Sequence, residues 1–216
     1  VFVIITCGIH ATEIASTQFS MLLAHELATT DCKQKGFILD QMVLLLMPSI
    51  NPDGNIMVTD WYYRYLDTEH EGSMMPYLYH KYAGHDTNRD YYMLNLRESR
   101  IVNAVLHHKY FPQVFLDMHQ MGNSGARIFV PPFIDPLNPN TDPLIVWEIA
   151  LLGNKMALDL AAAGKSGVGN SHSFTAWWEG SFLMNVWWHN TVGLLTELAS
   201  ARIASPVFQQ KDDLSG

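Results

Sequence analysis

The chain is poor in the features that mark several protein classes. Two cysteines in 216 residues, Cys7 and Cys32, permit one disulfide at most, so a scaffold held by disulfides is excluded. Cys7 stands in an apolar run and reads as a buried free thiol. Only 16% of residues are charged, and 13 Lys and Arg face 21 Asp and Glu, for a net charge of −8. No cluster of basic residues occurs, so neither nucleic acid nor an anionic membrane is an expected partner. No apolar run approaches the roughly 20 residues of a transmembrane span. Internal repeats and low-complexity linkers are lacking as well. The chain opens directly on VFVIITCGI, without a basic region or cleavage site, so no signal peptide is read there and the natural N-terminus is left open.

What is present is a core. Hydrophobic residues make up 48% of the chain, and its length suits one domain, residues 1–216. VFVIITCGI is apolar and rich in β-branched residues, as for a strand buried on both faces. ATEIASTQFSMLLAHELATT follows with helical spacing of its apolar residues. MVLLLMPSI is a second buried strand, ended by NPDG, which reads as a turn. Residues 55–90 carry six tyrosines and read as a long, functional loop. Beyond them come a helix over LNLRESRIVNAVLHHKYF, strands over PQVFLDMHQ and ARIFVPP, a long helix from TDPL to AAAG, and a last strand over VGLLTELAS. Apolar strands alternating with helices predict an α/β three-layer sandwich, with a mixed, mostly parallel sheet and helices on both faces. In such sheets the functional site lies beyond the carboxyl ends of the strands.

Four strand ends carry polar residues: His10 and Glu13 after the first, Asn51 and Asp53 after the second, His119 after VFLDM, and Glu197 after VGLLT. Zinc in a hydrolase takes three N or O ligands and keeps an open position for water. His10, Glu13 and His119 supply such a set, because residues three apart at a helix start face the same way. Glu197 then remains as a general base for the water. Taken singly, each residue also has a structural reading. His10 and Glu13 can pair at a helix start, Glu197 can be a solvated strand end, and Asp117 can be a surface carboxylate. Asn88 and Arg89, in GHDTNRDYY, either form a turn or grip a carboxylate through the guanidinium. Asp86 is placed to orient a ligating histidine.

In order along the chain, HATE, NPDG, TNRD, LDMH and LLTE resemble the motifs of M14 zinc carboxypeptidases, the carboxypeptidase A-like family. The resemblance runs from the first strand to about residue 200. It implies one Zn2+ per chain on His10, Glu13 and His119, with Glu197 as the general base. It also implies that Asn88 and Arg89 hold the free C-terminal carboxylate of a peptide substrate. The family has an oxyanion-stabilising Arg after NPDG; Arg64 is the nearest candidate and Arg127 the alternative. The substrate-covering Tyr of its better-studied members has no counterpart, since no Tyr follows Tyr110. Phe174, Trp177, Trp178, Trp187 and Trp188 stand in that region instead, as pocket wall or as core. Phe182 and Met184 suggest an apolar side-chain pocket, whereas Glu179 suggests a basic preference. The family domain is longer at both ends, so N-terminal strands and a C-terminal element are expected to be missing. The resemblance further implies secretion or the cell envelope. Alternative readings are a zinc amidohydrolase or deacylase, a cell-wall peptide endopeptidase, and an inactive binding module with the same fold.

Overall fold

Two short apolar runs form one side of the sheet, with the second at its edge. In the computed structural model, which describes residues 1–29 and 33–200, they form β1 (Phe2–Cys7) and β2 (Val43–Met47). Both pair in parallel, Phe2 opposite Val43 through Thr6 opposite Met47. Between them lie α1 (Ile14–Thr29) and α2 (Lys33–Gln41). Cys32 lies outside the described residues.

NPDG is a helix start rather than a turn. Asn51 caps α3 (Pro52–Tyr65), its Oδ1 accepting from the Gly54 N–H at 2.9 Å, and Pro52 occupies the first helical position. The first part of the expected long loop is therefore helical. The remainder ends in a single 3₁₀ turn, Thr87–Arg89. The next helix, α4 (Arg97–Ala104), runs on as a π-helical turn, Val105–Tyr110.

β3 (Val114–Gln120) pairs in parallel with β1 on one side and with β6 (Val192–Leu198) on the other. Beyond β6 lie the short strands β4 (Ile128–Phe129), antiparallel to it, and β5 (Val168–Gly169). The sheet order is β2-β1-β3-β6-β4-β5. The remaining helices are α5 (Pro143–Ala162), capped by Asp142, and the short α6 (Phe182–Trp187), capped by Ser181.

Alternation along β3 sorts its neighbours into two layers. Phe115, Asp117 and His119 share one face, where Phe115 meets Phe182 of α6 edge-on, centroids 4.6 Å apart. Gln120 is on the other, where its Oε1 accepts from Ala15 N of α1 at 2.9 Å. Helices thus cover both faces of a mixed, mostly parallel sheet, as the strand pattern predicts. Phe115, Phe129, Phe182 and Leu106 are fully buried at the core's centre. Among the described residues, no helix is long and apolar enough to cross a membrane.

Candidate metal centre

The site begins where β1 stops. Gly8 turns the chain with φ +66°, and a Cβ there would sit 2.6 Å from Thr17 Oγ1, so the sharp exit from the strand requires glycine. A second turn follows, closed by Glu13 N–H to His10 C=O at 3.0 Å. His10 and Glu13 therefore stand in the turn before α1, and not in its first helical turn as the spacing suggested. The Glu13 carboxylate lies between two imidazoles. Its Oε1 is 2.6 Å from His10 Nδ1 and its Oε2 is 2.9 Å from His119 Nδ1. Gln120 N–H donates to the same Oε2 at 2.8 Å and fixes it against β3.

The far nitrogen of each ring is held by another carboxylate. Asp86 Oδ1 lies 3.0 Å from His10 Nε2, the orienting role its sequence position suggested. Asp117 Oδ2 lies 2.9 Å from His119 Nε2, while its Oδ1 accepts from the Thr6 hydroxyl at 2.8 Å. Asp117 is not a surface carboxylate; it has no exposed surface. Both rings thus turn Nδ1 toward Glu13. One ligand atom from each of His10, Glu13 and His119 falls within 4.8 Å of the others. This donor set fits zinc: two imidazole nitrogens and a carboxylate oxygen, with each ring braced from behind by a carboxylate.

The electrostatics agree. Burial works against charge on Glu13, yet hydrogen bonds from both histidines hold its carboxyl down to about 2. Burial also works against charge on His10, but Asp86 and Glu13 raise it to about 9. Three carboxylates thus draw positive charge to one point, where a divalent cation can displace the protons.

Glu197 is buried rather than solvated at a strand end, because β6 is an inner strand. It stands beside His119 in the β3–β6 register. Burial is the main cause that lifts its carboxyl to about 7, with Glu13 and Asp117 adding to the lift and His119 and His10 opposing it. Its side chain lines a cavity of about 180 Å³ together with His10, His119, Asn88 and Arg89.

Asn88 and Arg89 reach this cavity on the 3₁₀ turn. Asn88 is largely committed to structure: Oδ1 accepts from Phe182 N at 2.9 Å, and Nδ2 lies 3.3 Å from His119 Nε2. Arg89 Nη1 donates to the Asn88 carbonyl at 2.8 Å, and its guanidinium lies over the Trp178 ring at 5.1 Å. Half the Arg89 side chain is exposed, leaving donors for a ligand.

Other expected residues fall elsewhere. Arg64 is exposed in the last turn of α3 and does not line the cavity. Arg127 packs its Cγ near Gly167 and shares backbone hydrogen bonds with Gly167 and Ala199, also off the cavity. Of the aromatic segment, Phe174 and Trp178 are wall, while Trp187 is core. Phe182 is core too, stacked on Tyr91 at 4.2 Å. A phenol does stand beside the centre, from the loop after α3: the Tyr79 ring lies 5.9 Å from that of His10. Sequence reading passed over it among six tyrosines of one segment.

Comparison with known proteins agrees with this geometry. The Peptidase_M14 family model, described as zinc carboxypeptidase, matches residues 2–121, a stretch that holds His10, Glu13, Asn88, Arg89 and His119. Carboxypeptidase 2 of Trichophyton rubrum is 29% identical over 168 residues, 73% of this chain and 27% of that protein. The chain thus spans about a quarter of that curated relative. The metallo-carboxypeptidase of Pseudomonas aeruginosa superposes with a TM-score of 0.66 at 18% identity, over 92% of this chain and 48% of its own. Carboxypeptidase A of Helicoverpa armigera gives 0.62 at 17% identity, over 92% and 51%. These structures share the fold, and the chain spans about half their length. With more than half its residues matched by the family model, the chain belongs to the M14 family of zinc carboxypeptidases.

Proposed function

We propose that this chain carries the catalytic centre of a metallocarboxypeptidase, which removes the C-terminal residue of peptides. One observation carries the reading: the ligand atoms of His10, Glu13 and His119 converge, and the two histidines share one cavity wall with a buried carboxyl and a half-exposed guanidinium. His10, Glu13 and His119 are the residues that would hold Zn2+. When bound, the ion supplies Lewis acidity that polarises a carbonyl and lowers the pKa of water.

The rest of the chemistry belongs to side chains. Arg89 receives the substrate's terminal carboxylate through parallel N–H donors, which fixes which peptide bond lies at the centre. Glu197 takes the proton of the attacking water and returns it to the leaving amine. The Glu197 carboxyl is buried in the cavity wall that His10 and His119 share. Asp86 and Asp117 keep the two imidazoles turned toward Glu13. Asn88 ties the Arg89 turn to α6 through Phe182 N. Arg64 takes no part in this scheme, since it lies off the cavity.

The test is hydrolysis of peptides with free or amidated C-termini, with and without chelator, alongside a zinc count. One zinc per chain and chelator-sensitive release of single C-terminal residues supports the proposal. Cleavage of amidated peptides at the same rate overturns it in favour of an endopeptidase.

A further inference from the structure

The sequence leaves two opposite side-chain preferences open, apolar through Met184 or basic through Glu179, and the fold separates these residues. Met184 lines the cavity of the metal centre, together with Leu183, Leu195, Phe174 and Trp178. Glu179 lines a different cavity, with Asn138, Asn140, Asp142 and Trp188. The Trp178 ring therefore stands in the wall on one side while its neighbour in sequence faces away.

We infer that the enzyme selects peptides whose C-terminal residue bears an uncharged, apolar side chain, through Leu183, Met184 and Leu195. This inference rests on the reading above, in which the terminal residue occupies this cavity. Three features carry it. The first is the wall itself: beyond the groups assigned to metal and catalysis, it offers aliphatic and aromatic surface plus the hydroxyls of Thr175 and Ser181. Apolar substrate surface gains by leaving water against such a wall. The second is charge. The cation in the lining is Arg89, so a Lys or Arg side chain would be buried near a like charge. The one lining carboxylate is Glu197, which is committed to the water. The third is size. About 180 Å³ for the whole cavity is below the ~300–1,000 Å³ of pockets that hold drug-sized ligands, and leaves room for little more than one terminal residue.

The test uses the zinc-loaded chain and a series of N-acylated dipeptides ending in Leu, Met, Phe, Lys, Arg or Glu. The expected kcat/KM for Leu, Met and Phe exceeds that for Lys, Arg and Glu by about a hundredfold or more. Equal rates, or faster release of Lys or Arg, overturn the inference. Failure to cleave any of the series defeats the carboxypeptidase reading instead. The side-chain preference is then judged by calorimetric titration with succinates bearing isobutyl, benzyl or guanidinoalkyl tails. Tighter binding of the apolar tails upholds it, and equal or tighter binding of the guanidino tail overturns it. Met184→Ala widens the wall and should shift the kcat/KM ratio from Leu toward Phe; an unchanged ratio removes Met184 from the selecting surface.

Discussion

Asp117 Oδ2 lies 2.9 Å from His119 Nε2, and neither residue has more than a trace of exposed surface. The carboxylate fixes which ring nitrogen faces Glu13. Asp117→Asn keeps the shape but replaces a charged acceptor by an amide. Zinc affinity should fall about 10- to 100-fold, as when the group behind a metal-bound histidine is removed. Competition with a chelator of known affinity measures it, and an unchanged affinity would deny Asp117 this role. His119→Ala should go further and leave the purified chain without bound zinc.

Glu197→Gln tests the base separately from the metal. The variant should retain zinc and lose about 10²–10⁴ in kcat. Metal analysis and turnover on the same sample separate the two effects. Retained turnover would remove Glu197 from proton transfer.

Arg89→Ala should penalise peptides with a free terminal carboxylate and spare amidated ones. The lost charged hydrogen bonds amount to ~1.5–3 kcal/mol, a loss of about 10- to 160-fold in kcat/KM. An equal loss on both substrates would make Arg89 a structural residue. Gly180→Ala gives a related test. A Cβ at Gly180 collides with the Trp178 ring, so the platform under Arg89 should move and KM should rise with kcat little changed.

Away from the centre, the His107 and His189 rings stack, centroids 3.7 Å apart and 18° from parallel. Burial pushes the His107 pKa below its ordinary value, against the hydrogen bond to Asn185 at 2.8 Å. The folded state therefore favours neutral imidazole. In the unfolded chain His107 binds its proton near pH 6.5, so between that value and the lower folded pKa the unfolded state binds more protons. The stability it contributes is complete above about pH 6.5 and is lost as pH falls through the folded value. Thermal melts of wild type and His107→Gln should diverge in slope between pH 7.5 and pH 5, with wild type losing more. Parallel slopes would refute the linkage.

Much of the site is legible because polar residues interrupt apolar strands at their carboxyl ends. His10, Glu13, His119 and Glu197 stand out for that reason, and the sheet brings all four together. Asp117 was legible in principle: it shares the strand face of Phe115 and His119, so period-two alternation marks it as inward-facing. Helix α3 was hidden because Asn, Pro, Asp and Gly serve both turns and helix starts, and only the Asn51 cap decides between them. The position of Arg64 was beyond sequence reasoning, since the direction of a helix after a cap depends on tertiary packing. The separation of Glu179 from Met184 was hidden for the same reason, as an irregular segment has no period from which to read facing.

The last of the described strands to leave the ribosome is an inner one. β6 lies between β3 and the β4–β5 pair, and it brings Glu197 with it. Until residues 192–198 have been synthesised, β4 has no neighbour on that side and β3 has a bare edge. A chain that stops short of β6 can bring His10 and Glu13, in the turn after β1, to His119 on β3, yet it lacks Glu197. In the proposed mechanism the general base therefore comes with the same strand that joins β3 to the β4–β5 pair.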